Sequence, residues 1–509
     1  MKTDILIIGS GLSGICAAYE IIKSSDLQVD LLGWGGGASP YIHGFCLPVG
    51  NDDNIELFFE DSMASGYGQC RESLVRRLCQ NSLTLPDYFK ELGLHIDAQD
   101  GKPRLIKSLG SSAARIAGIG NNTGPVLLTT LRKRLAASSR YREHKNYRAL
   151  ALIKKDGRVA GVRCYDKDTD TFRTLSAGLV ILATGGFGRL FPESTNSADI
   201  GGDGCAMAYL AGGKMTDLEF IQFEPSAAVW PMELVGKSII TTMFYEGAVL
   251  RGGDGQRFMD ECVPKDAQAK AISNQIRQGN ATPHGGVWFD ATKVPAEMWE
   301  GIYKPYRNRY LAHGIDMAKE PVEIAPAAHT TCGGVLIDDK CRTGIPGLLA
   351  CGEVTGGLHG ANRLGGNAGL ETMVFGRIAG QQALKEALVP MRLDENISPN
   401  RSADTESMRQ ELQQILRKDL GVIRTEAELR EGIARTDVLL SLLSDHENCY
   451  EKHRLYNDCV TAQLTLISAF ERKASCGCHT REDSRDEKEP YRIIIQNTQG
   501  KLALSKESV

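Results

Sequence analysis

Short, wholly apolar runs that end in glycine clusters mark the first three quarters of the chain, and amphipathic spacing marks the last. Ile5-Leu6-Ile7-Ile8 is apolar and rich in β-branched residues with no polar alternation, which predicts a parallel strand buried on both faces. It stops at Gly9-Ser10-Gly11-Leu12-Ser13-Gly14, and a helical pattern follows from Ile15 to Ile22. Val29-Asp30-Leu31-Leu32 reads as the second strand. Two later runs behave alike: Leu179 to Ala183 closes in Thr184-Gly185-Gly186, and Leu348 to Cys351 closes in Gly352-Glu353. Asn367-Ala368-Gly369-Leu370 opens a helix that continues past Gly376 towards Leu384. From 403 to 475 the spacing is helical, and Leu412, Ile415, Leu416 and Leu420 form a stripe suited to a core.

This order predicts an α/β protein in which one Rossmann-like domain is split, taking residues 1–216 and 335–392. The stretch 217–334 alternates short apolar runs with Gly and Pro, as a small inserted α+β cap would. After Pro390, Asn396 to Arg401 reads as a polar linker to a C-terminal helical domain, 400–509. Within that domain, Arg481 to Glu489 is charged and reads as solvated surface. No internal repeat is present.

Bulk properties narrow the function. At 509 residues the chain exceeds one small core. A hydrophobic share of 42% with 24% charged residues is ordinary for a globular protein, and a net charge of −4 offers no basic face to nucleic acid. Met1-Lys2-Thr3-Asp4 leads straight into the first strand without a secretory pattern, and no apolar run is long enough to cross a membrane, so a cytoplasmic location is expected. The 14 cysteines are scattered; the close pair Cys476 and Cys478 fits neither zinc nor iron–sulfur spacing. Reduced thiols are expected, and any iron–sulfur centre belongs to a partner.

Two glycine motifs carry chemistry. In the first, Gly9 permits the tight turn, Gly11 lets backbone reach a pyrophosphate, and Gly14 lets helix and strand pack closely: a dinucleotide cradle with the phosphates at the helix N-terminus. The acidic residue that normally follows the second strand to hold the ribose is absent; Gly33 stands there, leading into Trp34-Gly35-Gly36-Gly37. In the second, His359-Gly360-Ala361-Asn362-Arg363-Leu364-Gly365-Gly366-Asn367, one guanidinium lies among small residues, where a flat ligand can approach backbone and an anion can meet Arg363.

The second motif, HGANRLGGN, resembles the signature of the succinate dehydrogenase/fumarate reductase flavoprotein family, which includes L-aspartate oxidases. The resemblance extends through Gly202 to Tyr209, Glu219 to Phe223, Arg417 to Arg430 and Ser475 to His479, covering the chain from residue 4 to about 483. It implies FAD, held by Gly9, Gly11, Gly14, Ser39, Gly185, Asp203, Glu353, Asn367, Gly369 and Leu370. Glu353 would bind the ribityl chain, and the helix opening at Asn367 would face the flavin pyrimidine. His43 lies in the loop where some relatives attach flavin covalently, but at a different offset, so noncovalent flavin is expected.

The resemblance further implies hydride transfer between flavin and a carbon beside a carboxylate. Arg363 matches the carboxylate-binding arginine, and His329 the histidine ahead of a Gly-Gly. Three parts differ. Glu224 replaces a histidine in Gln222-Phe223-Glu224-Pro225-Ser226. The family's Thr-Glu falls near Thr241-Thr242 without its carboxylate, and its following Arg-Gly-Glu-Gly becomes Phe244-Tyr245-Glu246-Gly247. Lys265 replaces the arginine that relays the proton. A substrate carboxylate beside ionised Glu224 would be repelled. The substrate expected is therefore a monocarboxylate or amino acid-like molecule, not a simple dicarboxylate. Two other readings stand beside this one: an L-aspartate oxidase-like or amino acid oxidase, and an electron-transfer protein with a decayed pocket. Electrons would pass to or from a separate partner, such as an iron–sulfur protein, a free carrier, or oxygen.

Overall fold

The computed structural model describes residues 2–120, 122–389, 391–394, 397–485 and 490–509. Of the features anticipated above, Pro390, Asn396 and 486–489 lie outside the described residues.

Strand Lys2–Ile8 lies at the centre of the main sheet, parallel to Val29–Leu32 on one side and to Thr171–Leu182 on the other. Its apolar run is fully enclosed: Ile5, Leu6 and Ile7 are 0% exposed. Ile7 pairs with Leu31 and with Ile181, so the three apolar runs share one register. The strand Thr171–Leu182 has two roles. Its first half pairs antiparallel with Arg158–Asp166, and its second half runs parallel both to the first strand and to Leu348–Ala350. That last pairing returns the chain to the nucleotide domain after the cap. Helix Leu12–Ser24 packs against helix Asn367–Ala383 at glycines: a Cβ at Gly376 would sit 2.6 Å from the Ser13 carbonyl oxygen, and one at Gly380 2.6 Å from that of Ala17. The two helices therefore approach with backbone against side-chain-free surface, which brings both N-termini to one end of the sheet.

The chain leaves for the cap through Lys214–Thr216 and returns through Gly334–Leu336, and the two passages are hydrogen-bonded to each other, Met215 opposite Val335. Between them, Ile221–Ala228, Val322–Thr331, Val287–Asp290 and Val249–Arg251 form an antiparallel sheet with its own apolar cluster around Phe244, Phe289, Trp299 and Ile324. Register slips between Gln222 and Phe223 and between Glu224 and Ala227 bend the first of these strands.

Beyond residue 400, helices Glu406–Asp419, Glu426–Leu442 and Tyr450–Glu471 pack together, and Leu412, Ile415, Leu416 and Leu420 are buried as the stripe required. A capping box between Thr425 and Glu428 opens the second helix. The segment is not wholly helical: hairpin Tyr491–Thr498 with Lys501–Ser508 adds to the sheet formed by Lys214–Thr216. Its β-branched run Ile493-Ile494-Ile495 buries itself there, a non-local pairing that helical spacing upstream does not announce. Arg481, read as solvated, is 4% exposed, because its guanidinium forms a two-pronged pair with Asp483 and reaches the Arg472 carbonyl. Of the cysteines, Cys262 is exposed and Cys476 half-buried; the others are buried, and all are free thiols.

Candidate active site

A continuous cavity of about 1650 Å³ runs from the first glycine motif to the cap. At its nucleotide end, Gly9 has φ +116°, and a Cβ there would lie 2.1 Å from the Ala183 carbonyl oxygen; a Cβ on Gly14 would lie 2.1 Å from the Gly9 oxygen. Gly9 and Gly11 line the cavity, whereas Gly14 serves helix–strand packing out of its reach. Ser39 also lines it and fixes the turn, accepting the Leu12 N–H at 2.8 Å. At Gly33 a Cβ would meet Ser10 Oγ at 2.8 Å, so a side chain there would require Ser10 to shift. The glycine run after it instead closes on Asp199, whose carboxylate accepts the Gly37 N–H at 2.9 Å and lines the cavity with Trp34. Asp203 is buried and held by Arg148 at 2.5 Å, and both face the cavity.

In the middle of the cavity lie Gly185, Thr184 and Glu353. Glu353 accepts the Thr331 N–H and the Thr330 hydroxyl, each at 3.2 Å, and burial pushes its carboxyl above the usual range. Thr184 Oγ1 is buried without a partner, as a polar atom awaiting a ligand would be. The N-terminus of helix Asn367–Ala383 reaches the same space through Gly366, Ala368 and Gly369. One residue assigned to the cofactor has another place. Leu370 is 0% exposed in the core, because the first turn of the helix points it away from the cavity. Asn367 donates its amide to Ser62 Oγ at 3.1 Å, and its Oδ1 is buried without a partner. His43 lines the cavity.

At the cap end the structure brings together Arg363, His329, Glu224, Lys265 and Thr241. Arg363 is 8% exposed; its Nη2 donates to Gln222 Oε1 at 2.8 Å, and its Nε is buried without a partner. Gln222 in turn donates to the Arg363 carbonyl at 2.9 Å and to Asn362 Oδ1 at 2.6 Å. Cys478 holds Asn362 from the other side at 3.4 Å, so the 475–479 motif buttresses the arginine loop. His329 Nδ1 lies 2.8 Å from Thr195 Oγ1, leaving Nε2 for a ligand, and Asn196 fixes its carbonyl at 3.0 Å. Burial, with the nearby charges of Lys265 and Arg363, pushes the His329 pKa down to about 3, so the imidazole is neutral.

Glu224 and Lys265 form an ion pair at 2.5 Å, with side chains 5% and 24% exposed. Burial pushes the Glu224 carboxyl up, but Lys265 and the Ser226 hydroxyl at 2.9 Å outweigh it and hold it below its ordinary value. Lys265 opens helix Lys265–Arg277, an end that disfavours cations, and Glu224 offsets this. Glu246 is absent from the cavity wall: the 3-10 turn Thr241–Glu246 places Thr241 and Thr242 on the wall and carries Glu246 away beside Tyr303. Gln222, Thr195, Tyr306 and Arg309 also face the cavity near this end or hold residues that do. Gln222 was visible beside Glu224 in the sequence; the other three carried no local signal.

A glycine cradle, a helix N-terminus and an arginine–histidine pair share one cavity. Residues 4–368 match the FAD binding domain family, and 409–509 match the fumarate reductase flavoprotein C-terminal family. The chain is 32% identical to a subunit of the fumarate reductase (CoM/CoB) of Methanothermobacter marburgensis, covering 95% of this chain and 94% of that protein. It is 31% identical to the L-aspartate oxidase of Vibrio cholerae, covering 96% of each. Mycobacterium smegmatis Sdh1 superposes with a TM-score of 0.85 at 28% identity, over 100% of this chain and 94% of that one. The chain belongs to the FAD-dependent flavoprotein family of fumarate reductases and L-aspartate oxidases, and is a FAD-dependent oxidoreductase. Among the described residues no helix is long and apolar enough to cross a membrane.

Proposed function

We propose that this protein transfers a hydride between flavin and a carbon beside a single carboxylate, and that its substrate is not a simple four-carbon dicarboxylate. The Glu224–Lys265 pair carries the reading. Arg363 and neutral His329 supply one anion site: the guanidinium has an unpartnered Nε, and the imidazole can hydrogen-bond without adding charge. Next to it, Glu224 is ionised and Lys265 already neutralises it, so the position offers no net attraction to a second carboxylate. The same pair changes what Glu224 recognises. An ionised carboxylate there suits a cation, and the cation is Lys265.

The fit for FAD rests on the Gly9–Gly11 turn, the partnerless Thr184 hydroxyl and the helix end at Gly366 to Gly369. When bound, the flavin supplies the hydride chemistry. The protein's share is placement and charge. Arg363 orients the carboxylate and stabilises charge that develops on it. His329 Nε2 donates to or accepts from the same end. Lys265, salt-bridged and facing the cavity, is the group placed to hold a proton for the reacting carbon. Electrons are exchanged with a separate carrier, which the family likeness allows to be an iron–sulfur partner.

A second reading, oxidation of an amino acid, is favoured by the similarity to L-aspartate oxidases. The two separate in one experiment. Anaerobic photoreduced protein is mixed with unsaturated acids and imino acids, and oxidised protein with saturated acids and amino acids, while flavin absorbance is followed. Reoxidation by unsaturated monocarboxylates supports the proposal; turnover confined to amino and imino acids supports the second reading; fumarate reduction at rates matching the best acid overturns the proposal.

A further inference from the structure

We infer that Arg309 forms a distal anion subsite, which selects an elongated acid carrying a second acceptor group far from the reacting carbon. The inference rests on the carboxylate site proposed at Arg363.

Arg309 lies on the cap helix Lys304–Leu311 and faces the same cavity as Arg363. Its guanidinium donates through Nη1 to the Ser238 carbonyl at 3.0 Å, and it has no carboxylate partner among the described residues. Lys265 is neutralised by Glu224 and Arg148 by Asp203, whereas Arg104, Lys107, Arg189 and Lys237 on the cavity wall, like Arg309, show no carboxylate partner among the described residues. A half-buried guanidinium held by a neutral carbonyl keeps its charge and its remaining N–H donors for something in the cavity.

The support of Arg309 ties it to the reacting end. Ser238 precedes Ile239, whose N–H donates to the Ser226 carbonyl at 2.9 Å and whose carbonyl lies 2.7 Å from Ser226 Oγ. Ser226 Oγ also meets Glu224 at 2.9 Å. The chain of contacts Glu224–Ser226–Ile239–Ser238–Arg309 therefore ties the place of Arg309 in the cavity wall to the Glu224–Lys265 pair.

Tyr306, one turn before Arg309, fills the interval. The Arg309 guanidinium carbon is 5.4 Å from the centre of its ring, and the ring faces the cavity together with Ile302 and Pro305. The phenol feels both ends: burial raises its pKa, Arg309 lowers it and Glu224 raises it. A ligand reaching from Arg363 to Arg309 would cross an electrically neutral ion pair and an aromatic and aliphatic wall before meeting a second cation. Those demands describe an acid with an apolar or unsaturated spacer and a distal carboxylate or similar acceptor. A plain monoacid leaves Arg309 unused.

Oxidised holoprotein titrated with saturated α,ω-dicarboxylates of increasing length, and with the matching monocarboxylates, tests this through the flavin difference spectrum, which requires no turnover. Long diacids should bind about tenfold tighter than their monoacid partners, the worth of one charge-assisted contact, and short diacids should show no such gain. Arg309→Gln should erase the gain and leave monoacid affinity and flavin content unchanged, and Arg309→Lys should keep part of it. A gain that is absent at every length, or that survives in Arg309→Gln, overturns the distal subsite alone. Binding of neither acid class overturns the Arg363 carboxylate site and the distal subsite with it.

Discussion

Glu224 and Lys265 meet at 2.5 Å across the cap, one from the bent strand Ile221–Ala228 and the other from the first residue of helix Lys265–Arg277. The pair converts what would be an isolated buried carboxylate into a neutral wall of the reaction site. Removing only the lysine leaves Glu224 buried without the partner that holds its carboxyl below its ordinary value. Lys265→Met should destabilise the protein by roughly 1–3 kcal/mol, between the values for exposed and for buried pairs. The double variant with Glu224→Gln should recover much of that loss. Urea unfolding of the four proteins in a double-mutant cycle measures the coupling.

Arg363 has the opposite character, a guanidinium whose side-chain hydrogen-bond partner, Gln222, is neutral. Arg363→Gln should lower kcat/KM on the substrate acid by about a hundredfold or more, corresponding to roughly 3 kcal/mol of transition-state stabilisation. Flavin content should be retained, since Gln222, Asn362 and Cys478 hold the loop. Steady-state kinetics on flavin-normalised protein measures it, and an unchanged rate would support the electron-transfer reading.

His329 is neutral because its pKa is pushed down to about 3. Its protonation should therefore contribute no acid limb to kcat/KM between pH 5 and pH 8. Stability has a definite sign. Below an ordinary histidine value near 6.5 the unfolded chain takes up a proton that the folded chain refuses until about pH 3. Stability thus falls as pH is lowered through that window, and His329→Gln should flatten the fall in thermal melts across it.

The glycine cradle allows a sharper structural test. Gly9→Ala would place a Cβ 2.1 Å from the Ala183 carbonyl in a backbone with φ +116°. Overpacking of this kind costs about 1–3 kcal/mol, and the turn that receives the pyrophosphate would shift. The variant should purify with most of its flavin lost, read from the visible absorbance. In the parent protein, acid precipitation should release all the flavin into the supernatant, as noncovalent binding requires.

Local sequence carried the strands, the cradle and the arginine loop because each is a contiguous run whose residue types answer one physical need. Ile5 to Ile8 must be buried, Gly9 must turn, and Arg363 must stand among small neighbours. What it could not carry were relationships made by distant chain. The gap at Gly33 looked like a lost ribose contact; the structure packs the Ser10 side chain against that position and ties the loop after it to Asp199. Glu224 alone suggested repulsion or an amine ligand, and the lysine that answers it is 41 positions away. Glu246 and Leu370 were placed by counting along motifs, and the local turns carry their side chains elsewhere. The C-terminal hairpin was hidden because its partner strand lies before the cap.

The proposed one-carboxylate reaction site beside the neutral Glu224–Lys265 pair is tested by the anaerobic reoxidation of photoreduced protein by fumarate set against unsaturated monocarboxylates and longer unsaturated acids, at equal concentration and followed through flavin absorbance. Members of the latter groups should reoxidise the flavin rapidly, and fumarate slowly or not at all. Fumarate as the fastest oxidant would contradict the one-carboxylate site.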